Sequence, residues 1–137
     1  MNREHIVAEA WSWIGTPYHH AADVKGAGVD CAMILVRVFV DLGLAPPFDP
    51  RPYPRDWMLH RSEERFLGWV ERFAERTETP ERGDVVLFTF GRCVSHGGII
   101  CDPGYMIHAD LRAGAVVRSE IAPYAHRLHS YWRVRGV

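Results

Sequence analysis

Cys31, His96 and His108 are the side chains in this sequence whose types and placing suit nucleophilic chemistry. A thiolate needs a base within reach, and a base imidazole needs a partner at its second nitrogen to fix which nitrogen carries the proton. Cys31 follows Asp30, a helix-capping residue type, and opens a strongly apolar run. At the first turn of such a helix the unpaired backbone N–H groups and the positive end of the helix dipole face the sulfur. Those conditions favour the thiolate, and the same N–H groups can stabilise an oxyanion beside it. Cysteine is also a common small hydrophobe of protein cores, and position alone leaves both roles open for Cys31.

His96 and His108 lie in strand-like segments twelve residues apart around the turn Asp102-Pro-Gly104. Side chains alternate along strands, so the parity of that turn decides whether the two rings meet. A loop of three or five residues, or a bulge, places residues 98 and 108 opposite each other and His96 diagonal to His108 on one face. A plain two-residue loop sends them to opposite faces and removes the dyad. In the favourable case His96 is the general base for Cys31, and His108 fixes its tautomer from the other ring nitrogen. A histidine in a strand is otherwise a satisfied core residue. The remaining histidines, His5, His19, His20, His60, His126 and His129, fall in loops or on helix surfaces and read as ordinary. A rival chemistry uses Cys93, His96, Cys101 and His108 as zinc ligands, although Cys101 follows apolar Ile99-Ile100 and the series lacks a tight knuckle.

The elements that must position these groups follow from periodicity. Asn2 can cap a helix in which Ile6, Val7, Ala10, Trp13 and Ile14 recur at helical spacing and which Gly15 and Pro17 end. Residues 15–29, rich in glycine and without a period, form an ordered loop. Residues 31–42 are apolar nearly all round, the pattern of a central buried helix capped by Asp30 and stopped by Gly43. Five prolines in Pro46–Pro54 demand an extended loop. Ser62, Glu63 and Glu64 start a third helix with Phe66, Leu67, Val70 and Phe73 as its stripe. After Pro80 the segments Asp84–Phe90, His96–Cys101, Tyr105–Asp110, Ala115–Ile121 and Tyr131–Val134 read as short strands. Helices first and an antiparallel sheet second make an α+β domain.

At 137 residues the chain fits a single domain over 1–137, with enough length to bury a core unaided. With 16 basic and 17 acidic residues its net charge of -1 argues against nucleic-acid binding by bulk charge. Three cysteines, an odd number, leave at least one free thiol. The longest apolar stretch, Ala32 to Val40, is interrupted by Arg37 and too short for membrane insertion. The N-terminus has neither the basic start nor the apolar core of a secretory signal, so the chain is expected to be made in the cytoplasm without a signal peptide. The aromatics Trp11, Trp13, Trp57, Trp69 and Trp132 read as core, Tyr18 as an exception.

Five blocks, read together, resemble the NlpC-type cell-wall cysteine peptidases, and especially their short phage-tail-associated members. Gly15-Thr-Pro-Tyr18 is similar to the family's opening motif and Asp30-Cys31 to its nucleophile. Gly83-Asp-Val-Val-Leu-Phe88 resembles its first core strand, Ser95-His-Gly-Gly-Ile-Ile100 its base-bearing strand, and Tyr105-Met-Ile-His-Ala109 the strand with its third polar residue. The resemblance implies a papain-like fold, with the nucleophile helix packed on a C-terminal antiparallel sheet. It implies Cys31 as nucleophile, His96 as base, His108 as orienting residue, Tyr18 near the sulfur and the Cys31 N–H in the oxyanion hole. No cofactor and no metal are needed for such chemistry. The family departs from this sequence at two points. It usually has Ser-Gly where Ala32-Met33 stand, which predicts a crowded pocket, and a β-branched residue where Gly97 stands.

The implied activity is a cysteine endopeptidase hydrolysing peptide stems of bacterial peptidoglycan, commonly next to D-glutamate. Its implied partners are phage-like tail proteins, which would carry it to the periplasmic cell wall. The alternative is a tail structural or docking subunit that keeps the fold with little activity.

Overall fold

The computed structural model describes residues 3–55 and 64–137. The proposed Asn2 cap, Trp57, His60 and the helix-starting Ser62 and Glu63 lie outside the described residues. Helix α1 (Arg3–Trp11) buries Ile6, Val7 and Ala10. The chain leaves the helix at Ser12 in a series of turns, so the phase changes: Trp13 turns inward while Ile14 is exposed, contrary to its place in the predicted stripe. The loop that follows contains a two-residue hairpin, β1 (Asp23–Val24) and β2 (Gly28–Val29), which brings the chain to Asp30.

Helix α2 (Cys31–Asp41) starts and stops where local chemistry dictates. The Asp30 carboxylate accepts the Met33 N–H at 2.9 Å, and Gly43 ends the run with φ +75°. Ala32, Met33, Ile34, Leu35, Val38 and Phe39 are all buried. Helix α3 (Arg65–Phe73) is a surface helix with Phe66 fully inserted, and Leu67, Trp69 and Val70 partly so. It runs straight into β3 (Ala74–Thr77), a strand the apolar pattern did not announce.

The sheet is six-stranded and antiparallel, in the order β3-β8-β4-β5-β6-β7, with β4 (Val85–Phe90), β5 (Cys93–Asp102), β6 (Tyr105–Asp110), β7 (Ala115–Glu120) and β8 (Leu128–Val134). One face carries the main core: Leu87, Ile99, Ile107 and Trp132 meet Ile6, Met33, Ile34, Val38 and Phe66 from the helices. The other carries a smaller cluster of Val86, Phe88, Ile100, Met106 and Ile121, against which a short 3-10 helix (Ala122–Arg127) lays Tyr124. Fold class and layer order are those expected: helices first, with the cysteine's helix packed on an antiparallel sheet.

Helix α2 sits close on β5. A Cβ added at Gly97 would lie 3.1 Å from methyl carbons of both Leu35 and Leu87. Asp84, fully buried, ties α1 to β8 by accepting from Arg3 Nη1 at 2.9 Å and from Arg133 Nη2 at 2.9 Å. Among the described residues no helix is long and apolar enough to cross a membrane.

Candidate active site

The turn between β5 and β6 decides whether the histidines meet. Asp102 pairs with Tyr105, which leaves a two-residue Pro103-Gly104 loop, the parity that separates the rings. The register then shifts at Cys101, so that Ile100 pairs with Met106 and Ile99 with Ile107. This one-residue bulge restores the parity. Continuing the pairing sets Gly98 against His108 and His96 on the diagonal, and Nε2 of His96 lies 2.8 Å from Nδ1 of His108. Gly98 makes room for this, since a Cβ there would stand 3.3 Å from that of His108.

His108 is buried, and its Nε2 lies 2.9 Å from Ser119 Oγ on β7. His96 is ringed by Phe88 and Phe90, and His108 by Tyr124. Burial pushes both imidazoles below their ordinary pKa, His96 to about 3, with the neighbouring His108 adding to the effect on His96; the Asp110 carboxylate pulls both the other way.

Cys31 lines the same open cleft, of about 1000 Å³, as His96, Tyr18, Ser95 and Ser119. Its Sγ–H donates to the Ser95 carbonyl at 3.4 Å, and among the described residues it makes no hydrogen bond to His96. The second nitrogen of His96, Nδ1, is the one left free for the sulfur once Nε2 is held by His108. Burial raises the thiol pKa strongly and the Asp30 carboxylate adds to it; the Tyr18 hydroxyl and the backbone N–H groups of Cys31 and Ala32 oppose them. The helix-terminal N–H groups favour the thiolate as expected, but desolvation and the adjacent carboxylate outweigh them.

Asp30 is itself held from three sides. Besides capping α2 it accepts the Ala21 N–H at 2.7 Å and the Tyr53 hydroxyl at 2.6 Å, with His20 Nδ1 at 4.0 Å. Tyr53 comes from the proline-rich loop, and Nε2–H of His20 donates to the Tyr53 carbonyl, 2.9 Å away. Sequence reasoning missed Tyr53, His20 and Ser119. His20 and His126, read as ordinary, both line the cleft. Met33 does not crowd the pocket as expected: it is buried in the main core, and the smaller Ala32 faces the cleft.

The zinc alternative has no support in the geometry. Cys93 and Cys101 are buried in the main core, and the described residues assemble no group of three or more metal-binding side chains. What the arrangement can do is acyl transfer: a thiol at a helix N-terminus, N–H donors beside it, and an imidazole pair across the cleft.

Comparison with known proteins agrees with the geometry. A sequence profile described as the NlpC/P60 family matches residues 15–135. A gamma-DL-glutamyl hydrolase of Bacillus subtilis (strain 168) is 29% identical over 131 residues, covering 93% of this chain and 26% of that protein. The chain thus spans about a quarter of the length of that relative. Among solved structures, the NlpC/p60 domain of the peptidoglycan hydrolase SagA superposes with a TM-score of 0.69 at 19% identity, covering 98% of this chain and 100% of that one. RipD from Mycobacterium tuberculosis, described as a non-catalytic NlpC/p60 domain protein adapted to peptidoglycan binding, gives a TM-score of 0.61 at 13% identity, covering 98% and 97%. At these identities the solved structures establish the fold.

Proposed function

Because this chain belongs to the NlpC/P60 family, we propose that it is a cysteine peptidase that hydrolyses peptide stems of bacterial peptidoglycan. Cys31 is the nucleophile, His96 the general base and His108 the residue that orients it. The observation that carries this reading is the convergence on one cleft of a helix-terminal thiol and the His96 imidazole, which is hydrogen-bonded to the buried His108 behind it.

With substrate in the cleft, Sγ attacks the scissile carbonyl carbon while Nδ1 of His96 takes the thiol proton. The carbonyl π electrons move to oxygen, and the N–H of Cys31 stabilises the resulting oxyanion. Burial disfavours charge on both the thiol and the imidazole, so in this reading proton transfer accompanies attack rather than preceding it. Collapse of the tetrahedral intermediate breaks the C–N bond, and His96 protonates the leaving amine. Water then attacks the thioester with His96 again as base, which releases the carboxylic acid and restores the thiol. Every group needed is a side chain or backbone N–H of this chain, and no cofactor enters the scheme.

Mass spectrometry of purified peptidoglycan fragments incubated with wild-type, Cys31→Ala and His96→Ala proteins tests the reading. New stem-peptide fragments are expected from the wild type alone, with both variants folded and inactive. Equal cleavage by Cys31→Ala ends it.

The delivery route belonging to this reading is assembly with phage-like tail proteins that bring the domain to the periplasmic cell wall. It rests on the resemblance of the motif blocks to short tail-associated members. A second reading, a docking subunit of low activity, is favoured by one observation: the resting thiol is turned to the Ser95 carbonyl and not to His96. No cleavage by folded protein beside a working control enzyme, together with stoichiometric co-purification with tail proteins, selects it.

A further inference from the structure

We propose that Ser119 is a positioning residue that sets the proton arrangement of both imidazoles, accepting from His108 so that Nδ1 of His96 is left bare to face the sulfur. The proposal rests on the reading of His96 as the base. On β7, Val117 pairs with His108 and Ser119 lies two positions further along, on the same face. On β5, His96 lies two positions from the residue opposite His108, in the other direction. The three side chains therefore form one diagonal row across three strands, with links of 2.8 Å and 2.9 Å.

Each link shares one proton, and a neutral imidazole carries one N–H, so the row has two self-consistent arrangements. If the Ser119 hydroxyl donates to Nε2 of His108, then His108 Nδ1–H donates to Nε2 of His96, and the proton of His96 sits on Nδ1. That nitrogen cannot then take the thiol proton. If Ser119 accepts, His108 carries its proton on Nε2, His96 Nε2–H donates to His108 Nδ1, and Nδ1 of His96 is bare. The reaction itself selects between them. After His96 gains a proton both its nitrogens are donors, so Nδ1 of His108 must accept and Nε2–H of His108 must find an acceptor, which is Ser119.

The end group of the row is neutral, and this matters. Asp110 on β6 is the carboxylate whose field reaches both rings, and Tyr124 of the 3-10 helix packs on His108 while its hydroxyl donates to Asp110 at 3.4 Å. Cys31 of α2 lines the same cleft. Among the described residues Asp110 makes no hydrogen bond to either imidazole, so a hydroxyl and not a carboxylate terminates the row. When it accepts, the hydroxyl holds the His108 proton on Nε2 without a charge that would draw a second proton onto His108, which leaves His96 as the ring that charges.

The test is ¹⁵N NMR of the imidazoles in the full chain at neutral pH without substrate, which reads tautomers directly, alongside kinetics on peptidoglycan fragments. In the wild type both His96 and His108 are expected as Nε2–H tautomers. Ser119→Ala is expected to mix the His108 tautomers and to lower kcat about 3- to 10-fold with KM unchanged, the scale of one neutral hydrogen bond. Ser119→Thr, which keeps the hydroxyl, is expected to restore both. A wild-type His108 protonated on Nδ1, or tautomers unmoved in Ser119→Ala, overturns the proposal. The wild-type spectrum needs no variant to fold. It also decides the role of Ser119 if no cleavage is seen, a result that would count against the proposed function alone.

Discussion

Two buried aspartates, Asp84 at a corner of the scaffold and Asp30 behind the cleft, solve the same problem in opposite ways. Asp84 is neutralised by cations: Arg3 and Arg133 both reach it, and the Glu81 N–H adds a third donor at 2.8 Å. Asp30 has no arginine or lysine on it: it accepts hydrogen bonds from Met33, Ala21 and Tyr53, with the His20 ring 4.0 Å away, while Arg51 spends its guanidinium on Asp49 and Asp23. Hydrogen bonds stabilise a carboxylate without cancelling its charge. At the corner the field of the aspartate is therefore extinguished and what remains is structure. Beside the cleft the field survives and acts on the hydroxyls of Tyr53 and Tyr18 and on the Cys31 thiol, which it helps keep protonated. Scaffold charge is paired for stability, whereas the charge beside the cleft is left where it can act on the Cys31 thiol.

This contrast can be broken from either end. The largest effect is expected at the corner: Asp84→Ala leaves Arg3 and Arg133 facing an empty, buried pocket and should cost about 3 kcal/mol, the low end for a broken buried pair because both arginines are partly solvated. Urea unfolding reads this, and turnover per folded molecule should not change. Acid comes next. His96 and His108 titrate lower in the folded chain than in the unfolded one, so the unfolded state binds more protons as pH falls below about 6.5. Stability contributed by keeping them neutral is complete above that pH and drains as pH falls towards about 3, the folded value for His96. For His96 alone this is at most about 2 kcal/mol at pH 5, and His96→Asn should flatten the profile of unfolding free energy against pH. The smallest effect on stability belongs to Asp30→Asn, about 1.5 kcal/mol: Met33 bonds one carboxylate oxygen and Tyr53 and Ala21 the other, and an amide keeps only one of the two acceptors. Its signature lies elsewhere: the thiol pKa should fall, and alkylation of Cys31 at neutral pH should become faster. An unchanged alkylation rate would mean that the field of Asp30 does not reach the sulfur.

What could be read from the sequence is what local chemistry controls. Asp30 as cap, Cys31 at the first turn and Gly43 as stop are all properties of a few neighbouring residues, and α2 begins and ends where they say. The pairing of His96 with His108 was legible as a question of parity, and the bulge at Cys101 that answers it was not, because nothing in Ile-Ile-Cys-Asp distinguishes a bulged residue from a paired one. Strand β3 was hidden for a related reason. Ala-Glu-Arg-Thr has no strand pattern of its own and is extended because β8 offers it an edge, with Ala74 against Val134 and Thr77 against Tyr131. Tyr53 and Ser119 show the same limit at the site. A tyrosine in a proline-rich loop and a serine in a strand are unremarkable until the fold brings one to Asp30 and the other to His108.

Gly97 sets a mechanical clearance. Leu35, one helical turn beyond Cys31, closes on the place where any other residue would carry a carbon, and Leu87 closes on it from the neighbouring strand. That contact also bears on the separation between the helix that carries Cys31 and the strand that carries His96. A glycine is the thinnest shim available, so evolution or a protein engineer can only widen the gap from here, one methyl group at a time, and can move Cys31 relative to His96 without altering either side chain.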